Sequence, residues 1–294
     1  MASPDSEGAL QAMHSIPCEI KWHPSFASPD TDVILCSNDD TAFRVYSHTL
    51  KTTSGLFASM FSLPRNTPHA LASDIIRLDE DANVLASLLK MVSGMDFPPL
   101  VSIDFVDALL RAAEKYDMPG PASIIRNSLP SPLLEGSPIR IYGIAYRQGW
   151  FKEAAEVSRR TLGLDLCSPD VSRELAKIDA AAVVKLFELR RKRMESMVDC
   201  LNDHARFNVA GDATSICKNC STPLQHVKWR SLQCAWALLV EKNGLTDEAI
   251  EIPEVVEACN AECTKCQERM YNETVTLRAL RSVIKALPLT IELP

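Results

Sequence analysis

The sequence predicts an α+β fold for its front half and a mostly α-helical back half. Two observations carry this. Short alternating or β-rich runs occur only before residue 80, and helical periodicity of apolar residues dominates from there onward. A third observation concerns chemistry: two Cys-x-x-Cys pairs lie in the back half, in a chain of 294 residues with ten cysteines.

The elements follow in order. Thr31-Asp-Val-Ile-Leu-Cys36 is a strand, Ser37-Asn-Asp-Asp40 a turn, and Thr41–Tyr46 alternates with Phe43 and Val45 on one face, giving a β-hairpin. Leu50, Ser54, Phe57 and Phe61 fall at helical spacing, and small Ser54 permits close approach of another element. Leu63-Pro64 ends that segment, because the residue before proline avoids the helical region. Asp74–Leu78 is a further strand. Asp79-Glu-Asp81 starts a helix with Leu85, Leu88, Leu89 and Val92 on one side, stopped by Gly94. Ser102 caps a helix burying Val106, Leu109, Leu110, Ala113 and Tyr116. The proline-broken stretch Pro119–Pro138 leads out of this unit, with the boundary near residue 130. Beyond it helices are expected over Ile139–Gln148, Phe151–Leu162, Val171–Ile178, Ala180–Asn202, Trp229–Lys242 and Thr274–Ala286, without a solenoid-period repeat. The long helix is expected to bury Val184, Phe187, Met194, Met197, Val198 and Leu201. The organisation is therefore a tail over 1–18, an α+β domain over 19–130, a helical extension over 131–204 and a cysteine-bearing helical region over 205–294.

Charge narrows the function. Residues 1–130 hold 16 Asp/Glu against 9 Lys/Arg, whereas residues 131–294 hold 22 of each. An acidic front half repels phosphate backbones, so nucleic acid is not an expected partner. No run reaches about 18 apolar residues, so no membrane span is expected. The N-terminus does not read as a secretory signal. The cysteines are then thiols or metal ligands in the cytoplasm or nucleus. No Gly-x-Ser-x-Gly, Walker or Rossmann glycine pattern and no His-Glu-x-x-His occurs, so no enzyme, catalytic residue or small-molecule substrate is expected. The basic run Arg190-Arg-Lys-Arg193 reads as the solvated side of the long helix, with a nuclear signal or phosphate patch as the alternative.

Cys217-Lys-Asn-Cys220 and Cys263-Thr-Lys-Cys266 each present two thiolates to one ion, and 42 residues separate them. Together they complete an all-thiolate tetrahedral shell for a structural Zn²⁺ at about 2.3 Å per bond. The long gap adds little closure entropy, about 0.6 kcal/mol per doubling. Unmetallated core thiols, a redox dithiol and a catalytic zinc site are the alternatives. Cys259 lies four residues before Cys263 and is a further candidate, either replacing Cys263 or lining the site; His204 and His226 are weaker ones. Cys18, Cys36, Cys167, Cys200 and Cys234 read as thiols without chemistry.

Residues 32 to about 129 resemble the BTB/POZ domain. The likeness rests on Asp32-Val33, Phe43-x-Val45-x-x-His48, Leu50, Ser54, Phe57, Met60-Phe61, the strand-helix unit Ile75–Val92 and Ala112-Ala-Glu-Lys-Tyr116, in that order. It implies a small sheet capped by helical hairpins, a non-enzymatic interaction role, and protein partners that include a second copy or a cullin ubiquitin-ligase scaffold. It also implies that His48 is structural, packed beside the first helix. Three departures bear on partners: Pro24 and Pro29 precede the first strand where a swapped helix would lie, Phe61–Leu71 has no acidic residue, and Val92-Ser93-Gly94 replaces an aromatic-Thr-Gly. The back half resembles the C-terminal region of BTB proteins from mushroom-forming fungi, on Tyr142-Gly-Ile-Ala145, Gly149-Trp150 and Tyr271-Asn272 through Leu287-Pro288. The implied function is a protein-interaction adaptor, with a ubiquitin-ligase substrate adaptor as its narrower form and a zinc-containing nuclear or transcriptional regulator as the alternative.

Overall fold

A computed structural model describes residues 21–63, 75–96, 99–100, 102–130, 136–203, 206–207 and 216–292. The expected tail over 1–18, Cys18 and His204 lie outside these residues, as does most of Phe61–Leu71. The chain divides into two compact units between Ser128 and Leu129.

The first unit is α+β. Strands β1 (Lys21–Trp22), β2 (Val33–Cys36), β3 (Thr41–Val45) and β4 (Ile75–Arg77) form a sheet in the order β1-β3-β2-β4. The β2–β3 hairpin is antiparallel, with Leu35 opposite Phe43, and β1 and β4 flank it in parallel. Leu35 and Phe43 are fully buried, as the alternation requires. Asp40 takes a left-handed φ of 59° in the turn, a conformation that short polar side chains tolerate.

The segment after the hairpin is two helices rather than one: α1 (Ser47–Thr53) and α2 (Gly55–Ser62). Ser54 breaks them. Its backbone is extended, and its hydroxyl oxygen accepts from Phe57 N at 3.1 Å, capping α2. The same hydroxyl donates to the Tyr116 carbonyl at 2.5 Å, and Gly55 N donates to the Asp117 carbonyl at 2.9 Å. The pair is thereby fastened to α4 (Ile103–Lys115), which follows α3 (Ala82–Val92). Phe57 stacks between Phe61 and Tyr116 at ring separations of 5.9 and 5.6 Å. A buried hydroxyl serving two backbone groups predicts that Ser54→Ala costs about 2 kcal/mol, read as a lowered urea midpoint for this unit; a shift below about 0.5 kcal/mol would contradict the dual role.

Helix α1 begins without a side-chain cap of its own. Asp32, at the start of β2, supplies one: its carboxylate accepts from Ser47 N at 2.7 Å and from the Ser47 hydroxyl. Burial pushes the Asp32 carboxyl up, but the Ser47 bonds and the nearby Lys51 charge outweigh it and hold it below its ordinary value. A carboxyl lowered by folding stabilises the native state above the ordinary carboxylate range, and that contribution is lost as pH falls through the lowered value. Asp32→Asn should therefore cost about 1 kcal/mol at neutral pH, with the difference shrinking in acid. Parallel urea titrations at neutral and acidic pH check this; a difference that does not move with pH would contradict it.

Asp81 caps α3, accepting from Asn83 N and Val84 N at 2.9 Å. The stretch from Pro119 does not simply lead out of the unit. It forms α5 (Pro119–Ser128), with Pro121 and Ile125 buried, since proline is tolerated in a first turn where the N–H has no helical partner. His48, expected to pack beside the first helix, is instead exposed on α1.

The second unit, as far as it is described, is helical: α6 (Pro138–Arg147), α7 (Phe151–Arg160), α8 (Pro169–Leu175), α9 (Ala180–Asn202), α10 (Val227–Asn243), α11 (Pro253–Cys259) and α12 (Glu273–Ala286). Two apolar clusters fill it. One gathers Ile139, Tyr142, Ala154, Leu186 and Leu189 with Ile291. The other gathers Met197, Leu201, Trp229, Trp236, Tyr271 and Leu280. Helix α9 contributes to both, so the expected division at 204/205 falls within one compact unit.

The buried face of α9 differs from the expected one. Val184 and Phe187 are exposed, whereas Arg190 and Arg193 are buried. The basic run is therefore not a solvated side: Arg191 and Lys192 face outward and the two flanking arginines inward. Arg190 donates to the carbonyls of Thr161, Leu162, Leu164, Val240 and Glu241, and Arg193 to those of Gly244, Leu245 and Pro288. These carbonyls lie at the C-terminal ends of α7, α10 and α12, where helices leave acceptors unpaired and carry partial negative charge.

Candidate metal centre

The candidate metal centre is built from two short loops with the same backbone hydrogen-bond pattern. In the first, Cys217 N donates to Thr222 O and Ser221 N to Cys217 O, both at 2.8 Å, while Ile216 bridges Pro223. In the second, Cys263 N donates to Glu268 O and Gln267 N to Cys263 O, both at 2.9 Å, while Glu262 bridges Arg269. Each loop turns through a left-handed residue, Ser221 at φ 56° and Gln267 at φ 60°. Each then leads into a helix, α10 after the first and α12 after the second. This duplication escaped the sequence reading because only the cysteines match; neither left-handed position carries the glycine that would have marked it.

The loops bring all four sulfurs together. Sγ atoms of Cys217, Cys220, Cys263 and Cys266 lie within 4.8 Å of one another. Cys217 and Cys266 are 3.5 Å apart, and Cys220 and Cys263 are 3.6 Å apart. A tetrahedron with metal–sulfur bonds of about 2.3 Å has edges of about 3.8 Å. The residues present therefore fit a tetrahedral ion bound by four thiolates, with no position left for a water. Cys217 and Cys263 are buried, and Cys220 and Cys266 are half-buried.

Neighbouring groups lower two of the four thiols. The Thr222 hydroxyl, 3.3 Å from Cys220 Sγ, and then the Thr222 N–H lower the Cys220 thiol to about 6. The N–H groups of Cys266 and then Lys265 lower Cys263. The Glu268 N–H pulls Cys266 down, but burial and the neighbouring sulfurs outweigh it and raise that thiol to about 11. Four sulfurs this close cannot all ionise without a cation among them. Thr222 was not singled out from sequence; its position two residues after Cys220 is the only local signal.

Cys259 does not join the four. It ends α11, is buried in the apolar cluster, and desolvation raises its thiol to about 11. The i, i+4 argument fails because α11 ends at Cys259 and the chain turns before Cys263. His226 also lies outside the group: its Nδ1 is 2.7 Å from the Tyr271 hydroxyl. Tyr271 stacks on Trp229 at 5.0 Å, and Trp229 Nε1 donates to the Leu201 carbonyl at 2.9 Å. The loops thus rest directly on the core that α9, α10 and α12 share.

No protein-family model matches the chain, and no curated protein is significantly similar to it. Among the described residues no helix is long and apolar enough to cross a membrane.

Proposed function

We propose that this chain is a non-enzymatic protein-interaction adaptor, its first unit a BTB/POZ module and its second a helical body braced by structural zinc. The observation that carries the reading is the convergence of residues distant in sequence. Ser54 and Tyr116, both part of the family likeness, are 62 positions apart and joined by a hydrogen bond. Asp32 fastens the first helix, and a hairpin flanked by two parallel strands underlies them. This order supports the small sheet capped by helical pairs that the likeness implies. The all-sulfur set supports structural zinc, since a tetrahedral four-thiolate shell is one of its ordinary ligand sets and, being closed, offers no position for catalysis.

Within that reading the chain is a candidate ubiquitin-ligase substrate adaptor in the cytoplasm or nucleus. The nuclear-regulator reading loses its one sequence signal, because Arg190 and Arg193 are buried. Native mass spectrometry of the purified 32.5 kDa chain, alone and with a cullin scaffold, tests the proposal. Self-assembly or a stoichiometric cullin complex supports it. A zinc-loaded monomer that binds neither a second copy nor a cullin, and recovers no protein from native extract, overturns it.

A further inference from the structure

We propose that the four-cysteine site is a peroxide-responsive zinc store, which releases its ion by forming two disulfides between the loops, Cys217–Cys266 and Cys220–Cys263. The inference rests on the zinc reading above and adds a regulation to the same site.

Geometry selects the pairs. Two sulfur contacts, at 3.5 and 3.6 Å, cross between the loops. Each joins the half-buried second cysteine of one loop to the buried first cysteine of the other. One cysteine of every pair is thus partly exposed to solvent.

The chemistry balances with a peroxide as the oxidant. The thiolate of Cys220 or Cys266 attacks the O–O bond, taking one oxygen as a sulfenic acid while the other leaves as water after protonation. The partner thiolate attacks that sulfur and expels hydroxide, which is protonated to water, and an S–S bond of about 2.05 Å forms. A second peroxide oxidises the second pair. Each peroxide takes two electrons from two thiolates, and the ion, stripped of its ligands, departs as Zn²⁺. Because both new bonds join the two loops, they replace the metal as the link between α10 and α12.

The test uses the full chain carrying Cys167→Ser and Cys234→Ser, which removes the thiols outside the site that are exposed among the described residues. Zinc per chain is measured first, and a chain purified without bound zinc defeats the metal reading itself. The loaded protein is then titrated with hydrogen peroxide, with released zinc followed by a chromogenic chelator and disulfides mapped by peptide mass spectrometry. Full release at about two peroxides per zinc, with Cys217–Cys266 and Cys220–Cys263 peptides and recovery by dithiothreitol plus zinc, is the expected result. From a loaded protein, disulfides within the loops, sulfinic acids without disulfides, or zinc retained in excess peroxide would each overturn the proposal and leave the zinc site standing.

Discussion

Replacing Cys217 and Cys263 together by serine is expected to abolish metal binding and to unfold the second unit at temperatures where the parent is folded. Structural zinc supplies on the order of 10 kcal/mol in small zinc-dependent peptides, against total domain stabilities of about 5–15 kcal/mol. Here an ion would share its load with the core of Trp229, Trp236 and Tyr271, so the expected loss is smaller than in a peptide but still a large part of the whole. The first unit has its own core of Leu35, Phe43, Phe57 and Leu109 and should keep its melting transition. Cys259→Ala is the control. Its thiol lies in the apolar cluster rather than among the four sulfurs, so the variant should lose about 1 kcal/mol and no zinc. Differential scanning calorimetry beside metal analysis reads both variants. A double-serine variant that melts like the parent would contradict a structural role for the ion.

The second large effect is expected at Arg190. Its guanidinium meets five carbonyls from the end of α7 and the end of α10, at 2.5 to 3.3 Å. Arg190→Ala leaves those acceptors buried and short of donors, which should cost about 3–5 kcal/mol. Arg190→Lys should rescue little, because one ammonium with three donors cannot span the fork that a planar guanidinium fills. Arg193 is the companion. Burial, and then the Arg190 charge, lower it to about 10, so it stays protonated near neutral pH. It binds the carbonyl of Gly244, whose left-handed φ of 70° ends α10 and whose missing side chain leaves room for the Leu162 carbonyl. Urea midpoints of the two Arg190 variants check this; an Arg190→Ala loss under about 1 kcal/mol would contradict it.

Local signals were legible where a single periodicity governs. The hairpin, α3, α4 and the apolar side of α10 follow alternation or helical spacing, and the expected long helix has the bounds observed for α9. What was not legible depends on partners distant in sequence. The break at Ser54 is set by the Tyr116 carbonyl, 62 positions away. The buried face of α9 is set by carbonyls that two charged residues seek out, so charge pointed to solvent when it belonged inside. The four cysteines that come together were readable from their spacing. The exclusion of Cys259 was not, because it depends on where α11 ends.

Zinc K-edge X-ray absorption of the purified chain tests the central claim most directly. The account predicts one zinc per chain with four sulfur neighbours at about 2.3 Å and no nitrogen or oxygen in the first shell. A shell containing lighter ligands, or a folded second unit that holds no zinc, would contradict it.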